Sequence, residues 1–341
     1  MRTMTNAAVV LGALALGTGF TGAVELKLKW DPGKRYVFEN TADSSAKMPL
    51  PGQGLIETKG KLVLRVHNDV SEHAKGIRVG HAFSSVKMRQ EMQGLVMEYD
   101  SADPAKGGGL LEQVLKPLAE TKFSAIYDKK GELVKTEGLD EVQGAGQLGM
   151  GKAELESMAL QASSLLPGRD VKAGDTWNAD VNLPMGAVGG EVDITYTLKL
   201  EEIVKKEGRE MARISITGKA KQPEKGQSVE EVLQVDVRKA TGAMIFDVAL
   251  GQPVEYSTTV ELEMGLPAGL PQAEGAPGKM PLKTVSISKL IAVESLEKSS
   301  PAGEKGKAKP KVESTAGESP AEKKARRKAR KEKRKAEKAN Q

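Results

Sequence analysis

The chain has 341 residues, 51 Lys and Arg against 46 Asp and Glu, a formal net charge of +5 and no cysteine. Without cysteine there is no disulfide, no thiol nucleophile, no thiolate-held metal or cluster, and no cysteine to carry a lipid after a leader. Residues 299–341 hold 15 Lys and Arg against 6 Glu, a net of +9, so the preceding 298 residues are mildly acidic at −4.

The N-terminus has one positive charge at Arg2, an apolar stretch from Ala7 to Leu16, and small residues ending Thr21-Gly22-Ala23. That layout predicts a secretory signal peptide over residues 1–23, cut after Ala23. The apolar stretch is well short of the ~20 residues a spanning helix needs. The expected destination is across the inner membrane, in the periplasm or cell envelope.

Val24, Leu26, Leu28 and Trp30 alternate with Glu25, Lys27 and Lys29, the period of a strand with one wet face. Asp31-Pro32-Gly33 turns the chain into Tyr36-Val37-Phe38, and the polar segment that follows, through Pro49 to Gly54, reads as loop. Leu62, Leu64 and Val66, then Ile77, Val79, His81 and Phe83, predict two strands across a polar turn at Ser71 to Lys75. Leu110, Leu111, Val114, Leu115 and Leu118 recur at helical spacing with Pro117 near the end. Lys122 to Thr136 predicts a hairpin turning at Gly131. Leu155, Met158, Ala159, Ala162, Leu165 and Leu166 form an apolar stripe over residues 152–166, stopped by Pro167-Gly168.

The outline then repeats. Gly174-Asp175-Thr176-Trp177 parallels Gly33-Lys34-Arg35-Tyr36, and Val237 to Ile245, with Gly242, parallels the hairpin at Tyr127 to Val134. Ile194, Tyr196, Leu198 and Leu200 point one way and Thr195, Thr197, Lys199 and Glu201 the other. Met211 to Thr217, Val232 to Val237, Ala243 to Leu250, Tyr256 to Met264 and Leu282 to Leu296 complete the strands. The tail has no Leu, Ile or aromatic residue from Ala321 onward, so it cannot offset its ordering entropy and is expected to be disordered.

The reading is mainly β (α+β): two tandem antiparallel half-barrel repeats, each covered by helix. Its divisions are a signal peptide 1–23, repeat 1 at 24–138, a helical linker 139–168, repeat 2 at 169–297, and a basic low-complexity tail 298–341. Curved sheets with one apolar face need such cover.

Four segments carry a resemblance: Pro32-Gly33-Lys34-Arg35-Tyr36; Tyr99-Asp100-Ser101-Ala102-Asp103-Pro104; the hairpin Tyr127-Asp128 through Glu137-Gly138-Leu139; and Val171-Lys172-Ala173-Gly174-Asp175-Thr176-Trp177. Over roughly Leu26 to Leu296 the chain resembles an uncharacterised exported bacterial β-rich family of unknown function. At fold level it is similar to the LolA and LppX envelope half-barrels, which hold acyl chains or lipids between sheet and helix. The resemblance implies no catalytic residues.

Chemistry-bearing patterns are few. Gly144 to Gly149 matches GxGxxG and Gly146 to Lys152 nearly matches a P-loop, but Ala153 stands where the magnesium-binding hydroxyl belongs and no buried strand precedes either. The histidines are His67, His73 and His81, with His67 and His81 expected nearly opposite one another in a hairpin, and no third ligand fixed nearby. No GxSxG surrounds any serine. Carboxylates alternate onto wet faces, as solvating charges. Trp30 and Trp177 read chiefly as core across the sheet ends, with a ligand mouth as the minor reading. Met88, Met92, Met97, Met150 and Met158 suit an adaptable apolar cavity and equally fill irregular gaps.

The functional expectation is a non-enzymatic protein with no catalytic, cofactor or metal residues and no cofactor, binding a lipid, acyl chain or other apolar ligand in the envelope. The alternative is a structural or interaction protein whose tail holds an anionic polymer or membrane surface. Nucleic acid as partner is disfavoured by export and by a tail with no aromatic residue for stacking.

Overall fold

The computed structural model describes residues 22–50, 54–106, 109–129, 131–139, 152, 155–157, 163–184, 191–221, 235–265 and 279–296. All belong to the first of two units into which the chain divides, Met1–Glu297 and Lys298–Gln341. The expected signal peptide, the glycine-rich segment 144–151 and the basic tail lie outside the described residues, apart from Gly22 and Ala23.

In chain order the elements are β1 (Val24–Glu25), β2 (Lys34–Leu50), β3 (Gly54–His73), β4 (Gly76–Met92), β5 (Leu95–Asp100), α1 (Gly109–Glu120), β6 (Lys122–Asp128) and β7 (Leu133–Glu137). There follow β8 (Asp170–Val171), β9 (Thr176–Pro184), β10 (Glu191–Lys206), β11 (Arg209–Ala220), β12 (Val235–Asp247), β13 (Gln252–Gly265) and β14 (Lys279–Ser295). Among the described residues, twelve strands make one sheet in the order β7-β6-β4-β3-β2-β14-β13-β12-β11-β10-β9, with β5 on β4, and β1 pairs with β8 separately. Every pairing is antiparallel.

The two expected halves are therefore not separate sheets. The last strand, β14, returns to pair with β2 along most of its length, from Leu282 opposite Ala46 to Ser295 opposite Lys34. The polar run in β2 that reads as loop is strand because both of its edges are occupied, by β3 and β14; pairing overrides composition. The hairpin expected over Val237 to Ile245 is likewise absent: these residues are the middle of β12, which β11 and β13 flank, with a bulge at Val237/Lys239. Conversely, only Val24–Glu25 of the expected first strand joins a sheet. Residues 26–30 cross the sheet face instead, and Lys29 N–H donates to Gly251 O at 2.9 Å.

Alternation selects the buried face. In β10, Ile194, Tyr196, Leu198 and Leu200 are buried, and a bulge between Leu200 and Glu202 shifts the phase so that Ile203 is buried next. One core joins β9–β13 residues such as Trp177, Leu198 and Phe246 to Leu26, Leu165 and Val171. A second places Leu111, Leu115 and Leu118 of α1, with Leu155, on Leu64, Val86 and Phe123. The α1 stripe is the one expected from the sequence, and Thr121 Oγ donates to Pro117 O at 2.8 Å at its end. Of the helix expected over 152–166, Lys152, residues 155–157, Ser163 and Ser164 are helical, Leu165 and Leu166 form a turn and bend after them, and residues 153–154 and 158–162 lie outside the described residues. Leu155 packs in one core and Leu165 in the other, so this segment covers both halves.

The other sheet face is charged in register. Arg35 pairs with Asp69, Glu39 with Arg65, Asp43 with Lys61, Lys87 with Asp100, and Glu261 with Lys283, each ion pair joining directly opposed residues. Such pairs at or near the surface contribute about 0–1 kcal/mol each, but a one-residue slip would set all of them out of place.

Candidate functional site: a cavity at the seam

Where the halves join, one ladder row runs Met244–Tyr256–Ser288–Asn40–Leu64–Val86 from β12 through β13, β14, β2 and β3 to β4. The adjoining row runs Leu290–Phe38–Val66–Phe83, and the next places Asn68 opposite His81 and His81 opposite Phe123. The seam thus carries polar Ser288 and Asn40, with apolar side chains on both flanks. Residues 26–30 and Leu165 lie over it and leave a cavity of ≈ 110 Å³. Leu28, Trp30, Phe38, Val66, Phe123 and Met244 supply its apolar wall. Asn40, Asn68, His81, Gln252, Tyr256 and Ser288 supply the polar groups, and the described lining contains no Lys, Arg, Asp or Glu.

Trp30 is placed by its neighbours rather than by a sheet. Beside the Lys29 bond to Gly251, Gln252 Nε2 donates to Lys29 O, and the Trp30 ring stands edge-on to Tyr36 at 5.1 Å. The turn supplying Gly251 is held by buried Asp247, whose Oδ1 accepts from Leu250 N–H at 2.9 Å and whose Oδ2 lies 2.8 Å from Arg209 Nη1. Trp30 Nε1 is shielded from solvent and finds no hydrogen-bond partner among the described residues.

His81 stacks on Phe123 with ring centroids 4.6 Å apart, and its Nδ1 lies 2.9 Å from Asn68 Oδ1. Burial pushes its pKa down to about 4, so the ring is neutral at pH 7. With Asn68 Oδ1 as acceptor, Nδ1 carries the proton and Nε2 keeps a lone pair. Nε2 is buried and also without a partner among the described residues.

The expected His67–His81 pairing is corrected by turn length. A two-residue turn at Ala74-Lys75 sets His73 opposite Gly76, so His81 faces Asn68 while His67 faces Ala82. Neighbours along a strand point to opposite faces, so the two rings lie on opposite sides of the sheet. His73 sits at the hairpin end. Trp177 is core, its Nε1 donating to Leu165 O at 2.9 Å, whereas Trp30 lines the cavity. Asn68, Gln252 and Ser288 went unremarked in the sequence because a lone polar residue in a strand looks like any wet-face residue until pairing assigns its side. Met88 and Met97 pack at the edge of the α1 core, while Met150 and Met158 lie outside the described residues.

A continuous antiparallel sheet covered by a helix and a crossing segment defines the class as mainly β. Residues 75–251, just over half of the chain, match a family of unknown function (DUF6263), and the chain belongs to that family. The match begins at the β3–β4 turn and ends where β13 begins, so it takes in parts of both halves. No curated protein matches the chain. Among solved structures, one on lipid–protein interactions in lipovitellin is similar at 11% identity and a TM-score of 0.47, covering 80% of this chain and 27% of that one. The chain thus spans about a quarter of lipovitellin's length. DynF from the dynemicin biosynthesis pathway of Micromonospora chersina matches at 11% identity and a TM-score of 0.18, over 84% of this chain and 96% of that one.

Proposed function

We propose that the protein is a non-catalytic, exported binder of an apolar ligand, taken up in the seam cavity between the sheet and the crossing segment. The observation that carries this reading is the ≈ 110 Å³ cavity, walled by Leu28, Trp30, Phe38, Val66, Phe123 and Met244. A dry cavity of about 150 Å³ holds benzene, so this one suits a ring-sized or short-chain fragment, or one end of a longer lipid. Carboxylates such as Asp69 and Glu39 are held in ion pairs on the outer face, the described cavity lining has no carboxylate, and its one imidazole is oriented by an amide, which supports binding over acid–base catalysis. Apolar burial supplies affinity at roughly 25 cal/mol per Å².

Benzene titration followed by NMR tests it. The expected result is saturable shifts confined to the cavity-lining residues, abolished by Ser288→Phe, which fills the seam. Unchanged spectra in the folded wild-type chain would end this reading.

A second reading is favoured by the charge segregation: the tail, at net +9, tethers the acidic body to an anionic envelope surface. The two readings are compatible.

A further inference from the structure

Two residues that line the cavity each carry a buried hydrogen-bonding atom with no partner among the described residues. Trp30 Nε1–H is a donor, and His81 Nε2, with Nδ1 committed to Asn68, is an acceptor. Both residues line the same cavity. Leaving either atom unpaired carries the desolvation cost of a buried polar group, so a fitting occupant both accepts and donates. A hydroxyl does both with one oxygen.

We propose that the ligand is a neutral, hydroxyl-bearing lipid or alcohol, whose oxygen accepts from Trp30 Nε1–H and whose proton is donated to His81 Nε2. The proposal rests on the ligand-binding reading above and names the polar end of that ligand. An ionised carboxylate or phosphate head is disfavoured, because the described lining holds no cation to offset burial of the charge. A plain hydrocarbon fills the wall and leaves both polar atoms unpaired. The low basicity of the buried His81 ring keeps Nε2 an acceptor across the neutral range.

Calorimetric titration of the full chain with three probes of equal chain length tests this: 1-octanol, 1-methoxyoctane and octanoate, at pH 7. The methyl ether can accept from Trp30 but cannot donate to His81. Octanol is expected to bind about tenfold tighter than the ether, the value of one net hydrogen bond, and octanoate more weakly than either. His81→Phe, which keeps a ring against Phe123, should erase the octanol–ether difference. Trp30→Phe should weaken octanol and ether by a similar factor and keep their ratio, so the assignment survives if one variant fails to fold. Equal binding of octanol and ether by the wild type, as when water alone satisfies the two atoms, overturns the hydroxyl assignment and leaves an apolar site standing. Tightest binding by octanoate also overturns it. Binding of none of the three, with benzene also failing, overturns the ligand-binding reading itself.

Discussion

His81 is where a single residue joins stability to the site. Its ring is favoured neutral in the fold, with a pKa moved from 6.5 to about 4 by burial. Between those values the unfolded chain binds the extra proton. Stability is complete above pH 6.5 and is lost as pH falls toward 4, by roughly 3 kcal/mol in total. The other polar residues lining the cavity are Trp30, Asn40, Asn68, Gln252, Tyr256 and Ser288, none charged at neutral pH, so the effect belongs to this ring. Urea unfolding at pH 7 and pH 4.5 should show the wild type losing about 2 kcal/mol more than His81→Phe. Carboxylates such as Asp69, held low by the Arg35 guanidinium, keep nearly all of their contribution at pH 4.5, and the little they lose is the same in both proteins and cancels. Equal losses would refute it. The residue type was visible in the sequence, but its side of the sheet was not: the number of residues in the turn decides that, and a polar stretch of five leaves it open.

At the scale of elements, glycine in a strand carries different meanings in different places. Gly242 reads as a hairpin residue by analogy with Gly131, which does turn with φ 86°. It lies instead in mid-strand, where an added Cβ would sit 2.3 Å from Ser257 O, a backbone atom of the neighbouring strand. At Gly60 the Cβ would meet Ser44 Oγ at 2.7 Å, a side chain free to rotate. Gly242→Ala should therefore cost about 2 kcal/mol or more, as the β12–β13 ladder must move, and Gly60→Ala less than about 1 kcal/mol. Thermal melts of the two variants compare them, and similar shifts would refute the distinction. The alternating strands β10 and β13, the α1 stripe and the β6–β7 hairpin were legible because local periodicity and turn chemistry specify them. The seam half of β2 was not, because its strand state comes from neighbours remote in sequence.

For the whole molecule, the closing of β14 onto β2 turns two hairpin-rich halves into one sheet and creates the cavity at their junction. No residue of either half alone would form it: Trp30, Asn68 and His81 come from before the linker, and Met244, Gln252, Tyr256 and Ser288 from after it. The tail acts at this scale too. At low ionic strength the full chain should co-sediment with vesicles containing anionic lipid, and deletion of residues 299–341 should abolish that. Raising salt from 0.01 to 0.15 M, which shortens the Debye length from about 30 to about 8 Å, should release the full chain as well. Sedimentation that ignores both deletion and salt would remove the tether reading.

Composition and period were enough to make this a β-rich chain with a short helix around Leu110 to Leu118, charged outer faces and basicity gathered at one end. Those properties live in neighbouring residues, since alternation, helical spacing and charge density are local quantities. Strand order, the face each histidine occupies and the cavity come from pairings between residues as remote in sequence as Lys34 and Ser295. Their register depends on turns, bulges and the return of the final strand, and no local pattern encodes where a distant edge will be met.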